Sequence, residues 1–257
     1  NLAMGRMLSP AVYGELEALV SLAALFAVRM SVLSIFVVKI VSSYWGQKKR
    51  EEIQSFLTVY RKNLFIISLI GGIFLLFFNS TIIKFLNLSS VLSVVFLILF
   101  FLLSGVSTIN NSGLQGTLSF GYLTANGIIG SGTKLVISVF LVFLNFKLFG
   151  ALFGPFLGSL LTFLLSVWEL KNIFKGVAAT EKKVSPAVLK TAFFPTLFSS
   201  LALTAFLTMD VILARHFFSQ TISGEYAVIA VLGKVVFYAV GPIISVMFPL
   251  ISSRASS

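Results

Sequence analysis

Cysteine is absent from all 257 residues, which removes disulfides, thiolate metal sites and a cysteine nucleophile from consideration. Histidine occurs once, as Phe-flanked His216, expected in a loop. No Walker motif or glycine-rich phosphate loop is visible, so an intrinsic ATPase is not expected. Charge is scarce as well. Only 11% of residues are Asp, Glu, Lys or Arg, against about 25% in a globular domain. Nothing in the chain resembles a soluble catalytic site, and no metal or other cofactor is expected. No signal peptide is recognisable, and the spacing does not suggest a β-barrel.

What is abundant is apolar. Hydrophobic residues make up 58% of the chain, with 28 Phe, and the mean hydropathy is +1.04. A bilayer core needs about 20 consecutive, mainly apolar residues per helix. Suitable stretches run over 14–42, 63–79, 91–110, 121–145, 148–170, 192–214 and 225–250. Residues 1–8 read as the tail of an earlier helix, and the chain stops just after a long one; truncation at both ends is expected. The fold class is therefore all-α: a polytopic transmembrane helical protein with seven full spans and a partial first one.

The net charge of +11 is explained by topology. Lys48, Lys49, Arg50, Arg61 and Lys62 follow the second span, and Lys171, Lys175, Lys182, Lys183 and Lys190 follow the sixth. Four intervening spans put both clusters on one side, as the positive-inside rule requires. Arg254 joins them, while Arg6, Lys84, Lys147 and Arg215 fall on the other. The basic loops 46–62 and 171–190 are thus expected in the cytoplasm, with the chain in the inner (cytoplasmic) membrane. Nucleic acid is not an expected partner; the lipid bilayer is.

An internal repeat divides the chain. Ser9-Pro-Ala-Val-Tyr-Gly14-Glu15 opens the second span and Ser219-Gln-Thr-Ile-Ser-Gly224-Glu225 opens the eighth. Ser, Gly and Glu coincide at one offset, six spans apart, as two parallel six-helix lobes demand. Residues 1–180 then form the first lobe, residues 181–257 begin an incomplete second, and the polar segment 171–190 links them.

Ionisable groups inside spans mark the candidate site, because a central charge costs about 2.5–3.5 kcal/mol even on lenient insertion scales. Arg29 lies mid-way along the second span, sharing an arc with Glu17, Ser21 and Lys39. Lys134 lies mid-way along the fifth, with Gly127, Gly130, Ser131, Ser138 and Asn145 on its face. Thr108, Asn111 and Gln115 follow helical spacing at the inner end of the fourth. Lys234 aligns with Tyr238, Gly241 and Ser245, with a kink expected at Pro242, and Asp210 sits near the outer end of the seventh. Close helix packing is the ordinary reading of Gly127-Ile-Ile-Gly130. The mid-membrane set is mostly cationic, Arg29, Lys134 and Lys234 against Asp210, and such a cavity suits an anion, most simply a phosphate.

Several segments are similar to one family. Gly5-Arg-Met-Leu-Ser-Pro-Ala-Val-Tyr-Gly14-Glu15 resembles the segment joining the first two helices of bacterial polysaccharide-biosynthesis flippases, members of the multidrug/oligosaccharidyl-lipid/polysaccharide exporter superfamily. Gly113-Leu-Gln-Gly-Thr-Leu-Ser-Phe-Gly121 looks like their loop between helices four and five. Asp210-Val-Ile-Leu-Ala214, Ser223-Gly-Glu-Tyr226 and Phe248-Pro-Leu-Ile-Ser252 look like their helix seven to eight region. The resemblance implies two six-helix lobes around a cavity that opens alternately to either side. It also implies a cargo, an oligosaccharide joined by pyrophosphate to a polyprenyl lipid, held by cavity Arg and Lys residues; Arg29, Lys134 and Lys234 are the positions that match. Glycan polymerases or glycosyltransferases of the same pathway are the implied protein partners. The rivals are a drug or cation antiporter, a lipid II flippase of the same superfamily, and a membrane-embedded glycan polymerase. The antiporter needs embedded carboxylates, and Glu17 and Glu169 lie near span ends. The polymerase needs a sizeable loop, and no connection exceeds about 20 residues.

Overall fold

The computed structural model describes residues 2–177 and 189–235. It is all-helical in these residues: α1 (Leu2–Met7), α2 (Pro10–Gly46), α3 (Arg50–Phe77), α4 (Asn79–Phe85), α5 (Val91–Gly116), α6 (Phe120–Phe143), α7 (Lys147–Ile173) and α8 (Leu189–Phe217). A further helix, α9, covers 220–235. Among the described residues six helices are long and apolar enough to cross a membrane: α2, α3, α5, α6, α7 and α8. The molecule is a polytopic helical membrane protein.

Local chemistry sets the helix ends. Ser9 is extended ahead of α2, and Pro10 occupies its first turn, where a missing N–H leaves no helical bond unmade. Lys48, Asn87, Leu118 and Asn145 each adopt a positive φ of 45–67° between two helices, the left-handed step that stops one helix and releases the chain to the next. Asn145 therefore sits in the turn after α6 and not on the Lys134 face of the helix.

One expected loop is largely helix. Of the segment 46–62, only residues 47–49 lie outside α2 and α3; Arg50, Glu51, Glu52, Arg61 and Lys62 ride on α3. The physical reason is length. At 1.5 Å per residue the 37-residue α2 spans about 55 Å, well beyond the roughly 30 Å hydrocarbon core. The helices run on past the apolar window, and their charged turns belong to the same rods. Lys171 likewise sits in the last turn of α7. His216 and Arg215 belong to the last turn of α8 rather than to a loop.

Alternating helix directions gather the ends into two layers. Val41 of α2, Ile53 and Phe56 of α3, Leu114 of α5 and Leu170 of α7 share one buried cluster with Phe174. That is the end carrying Lys48, Lys49, Arg50, Lys171 and Lys175, here called the basic end. At the far end Met4, Tyr13, Leu16, Val142, Ala151, Val211 and Ala227 pack together. The two copies of the Ser-x-x-x-x-Gly-Glu repeat meet there: a Cβ on Gly14 would lie 2.8 Å from the Cα of Gly224, and one on Gly224 would collide with the Pro10 carbonyl. Only glycine allows α2 and α9 to cross this closely.

The tightest helix pair is α6 with α7. Gly150, Gly154 and Gly158 form a ridge at four-residue spacing on α7. A Cβ on Gly158 would approach the Gly130 carbonyl to 2.7 Å, and one on Gly154 the Lys134 carbonyl to 2.6 Å. This is small-residue packing without a hydrophobic drive between the helices. Gly130 behaves as expected, whereas Gly127 faces open space and packs on nothing.

Candidate functional site

The backbone contact of α6 and α7 leaves room beside it. A cavity of about 830 Å³ lies between α2, α5, α6 and α7, with Met4 of α1 at its rim. Its polar lining includes Ser107, Asn111, Asn126, Ser131, Lys134 and Ser138. The Oγ of Ser107 and the Oδ1 atoms of Asn111 and Asn126 are buried without hydrogen-bond partners. Buried polar atoms are ordinarily satisfied; the lining around them is mainly apolar, and its hydroxyls, amides and Lys134 are the groups able to meet polar contents. Lys134 is exposed to that space, and no carboxylate pairs with it among the described residues.

Ser138 has a further task. Pro155, inside α7, has no N–H to give to the carbonyl of Ala151 one turn earlier. Ser138 Oγ donates to that carbonyl at 3.2 Å across the helix pair. Its hydroxyl completes the cavity wall.

The remaining candidate residues are spread over three other places. Arg29 stands about 200° around α2 from the cavity-lining Ala27, so it faces away from Lys134; its Nε is buried without a hydrogen-bond partner. The neighbouring Val28, Val32 and Phe36 pack on Phe193 and Leu197 of α8, which puts Arg29 beside the seam between α2 and α8. Lys39 is exposed two to three turns further on. Lys234 lies 3.7 Å from Asp210 across α8 and α9, and Tyr226 donates its hydroxyl to the same carboxylate at 3.2 Å. Gln115 is exposed and is not among the residues that line this cavity. Tyr238 lies outside the described residues, as do Gly241, Pro242 and Ser245. The structure thus brings Lys134, Asn111 and Ser138 together, sets Lys234 with Asp210, and holds Arg29 on the opposite face of α2.

Two buried groups carry more structure than their sequence context suggests. Glu169, a turn from the end of α7, is only 4% exposed and accepts a 2.7 Å hydrogen bond from Asn126 Nδ2. One turn away Asn110 donates to Ser166 at 3.0 Å. Asparagines amid apolar runs were the sequence signal for this α5–α6–α7 ladder. Arg215, counted above only as a charge on the side opposite the basic clusters, is 1% exposed and lies 3.9 Å from Glu15.

A family model described as "Polysaccharide biosynthesis protein" matches residues 2–254 of the chain. No curated protein and no solved structure matches it.

Proposed function

The chain belongs to the polysaccharide biosynthesis protein family, and from that premise we propose that this membrane protein is a flippase for polyprenyl-pyrophosphate-linked oligosaccharide. The observation that carries the reading is Lys134, a mid-span cation without a carboxylate partner among the described residues, facing a mainly apolar cavity whose wall also carries amides and hydroxyls. A pyrophosphate and a hydrated glycan cannot enter hydrocarbon without replacement for their lost water. A cation supplies the counter-charge, and neutral donors and acceptors supply the glycan's hydrogen bonds. Arg29 offers a second cationic contact along the α2–α8 seam, where the lobes 1–180 and 181–257 meet in this proposal. The lipid tail stays in the bilayer, and the lobes rock to exchange access. The basic end is cytoplasmic and the membrane is the inner one. The protein performs no covalent chemistry in this reading; polymerases or glycosyltransferases of the pathway act on its cargo.

The test uses the full-length protein in cells lacking the native copy. Lys134→Ala and Arg29→Ala are each expected to abolish surface-glycan assembly while the protein stays in the membrane. Wild-type glycan in both variants would sink the cavity assignment.

One observation favours a second reading. The antiporter needs an embedded carboxylate, and Glu169 is buried against Asn126, a residue of the cavity wall. If the carrier exchanges a cation, Glu169→Gln abolishes gradient-driven efflux from proteoliposomes of the full-length protein. Intact glycan assembly in that variant, with no efflux by the parent protein, retires the antiporter.

A further inference from the structure

At the end of the molecule opposite the basic turns, one guanidinium joins three distant segments of chain. Arg215, in the last turn of α8, donates from Nε to the Leu86 carbonyl at 3.0 Å and from Nη2 to the Asn87 carbonyl at 2.8 Å. Its Nη1 reaches the carbonyl of Ala11 at 3.2 Å, that of Gln220 at 3.4 Å and the Ser223 hydroxyl at 3.3 Å. The carboxylate of Glu15 stands 3.9 Å from Nη2. Its other oxygen accepts from the Ser89 amide, the Ser89 hydroxyl and the Ser93 hydroxyl, at 3.0, 3.1 and 3.0 Å. Asn87 returns a bond from Nδ2 to the Arg215 carbonyl at 3.1 Å. The start of α2, the turn before α5 and the α8–α9 turn are thereby held on one planar group. Beside it the Gly14 and Gly224 backbones touch.

The opposite end of the same helix pair is held differently. There α2 and α8 meet through Val28, Val32, Phe36, Phe193 and Leu197, all apolar. Apolar surfaces in a bilayer slide and part at little cost, because lipid tails replace them. A guanidinium cannot part gradually. Its rigid fork fits all of its acceptors or few of them, and a half-satisfied buried charge is worse than a fully hydrated one. A contact of that kind has two states, made and broken.

We propose that the Arg215–Glu15 clamp, seated by the Gly14–Gly224 crossing, is a latch that keeps the outer face of the α2–α8 seam closed and must release as a unit for that face to open. The inference rests on the flippase reading only for naming this face the outer one and for the need to open it.

The cysteine-free sequence makes the test direct. Thr208 lies on α8 two turns before Arg215 and is 7% exposed, so Thr208→Cys is a unique thiol beneath the latch once any cysteine of the full-length protein outside these 257 residues is replaced by serine. A membrane-impermeant maleimide is applied to intact cells and, separately, to inverted vesicles. Slow labelling is expected with the latch intact. Arg215→Lys, which keeps the charge and loses the fork, and Glu15→Gln, which keeps the shape and loses the charge, should each speed labelling of intact cells about tenfold or more, the shift produced when one charge-assisted hydrogen bond is lost from the closed state alone. Gly224→Ala should do the same by driving a methyl group into the Pro10 backbone. Gly233→Ala, whose Cβ meets nothing within 4 Å among the described residues, should label at the parental rate.

Parental labelling in the Arg215 and Glu15 variants, with protein retained in the membrane, overturns the latch. If both variants are lost from the membrane, Gly224→Ala decides: faster labelling supports the latch, while a parental rate or loss of that protein too makes the clamp purely structural. Faster labelling in inverted vesicles alone overturns the assignment of the outer face. Surface glycan is measured in parallel. Faster labelling in a protein whose parent assembles no glycan leaves the latch standing and retires the cargo instead.

Discussion

Two cations of this protein lie within the helical bundle under opposite conditions. Arg215 is surrounded by five acceptors and a carboxylate. Lys134 faces a cavity with no carboxylate partner among the described residues, near three buried polar atoms that lack hydrogen bonds. A saturated charge has nothing left to offer a ligand, and its removal is felt by the fold. An unsaturated one contributes little to the fold and retains its capacity to bind. Burial and the tally of partners separate the two charges together: Arg215 is buried and saturated, whereas Lys134 is exposed to the cavity and unpaired among the described residues.

The comparison predicts a graded series of stabilities. Arg215→Ala leaves the Glu15 carboxylate buried without its cation, and is expected to cost about 3–5 kcal/mol, the usual result of breaking a buried pair from one side. In detergent it should give the largest fall in thermal midpoint, or no folded protein at all. Gly154→Ala comes next. Its methyl group meets the Lys134 carbonyl and Ser138, and overpacking of this kind costs about 1–3 kcal/mol; the readout is again the melting midpoint. Lys134→Ala should change the midpoint least, within about 0.5 kcal/mol, despite removing a charge from mid-span. A melting loss for Lys134→Ala as large as that for Arg215→Ala would erase the distinction. Adding inorganic pyrophosphate sharpens it: the full-length parent should melt higher with the anion, and the Lys134→Ala protein should not respond, because only the ligand-binding form is stabilised by mass action.

The parts that could be read from sequence follow the same physics. Spans were legible because each needs a long apolar run, and the stretch expected at 148–170 became α7 (Lys147–Ile173). The continuation of α3 back to Arg50 was not, because hydropathy registers the bilayer and not the helix. Helical spacing groups Ser138 with Lys134 on one face of α6, but that Asn111 of α5 lines the same cavity follows from packing and not from spacing. Arg29 was assigned to the same space because periodicity gives a direction on its own helix but not the neighbour in that direction. The Gly150–Gly154–Gly158 ridge was legible as a spacing and was passed over. The clamp around Arg215 was not legible at all. Glu15 appeared only as a letter in a repeat, and nothing in the chain marks which main-chain carbonyl will face a guanidinium.

That last point bears on how the protein can diverge. Four of the atoms that hold Arg215 are main-chain carbonyls, those of Ala11, Leu86, Asn87 and Gln220, and a carbonyl survives any substitution that keeps the backbone in place. Positions 11 and 220 are free to drift without loosening the clamp, whereas Leu86 is held by its packing with Leu19, Val94 and Ile212. Its imprint on a lineage reduces to the arginine, the glutamate, the crossing glycines and the short polar side chains at 87, 89, 93 and 223 that bond them, a faint trace for one of the most heavily bonded groups in the molecule.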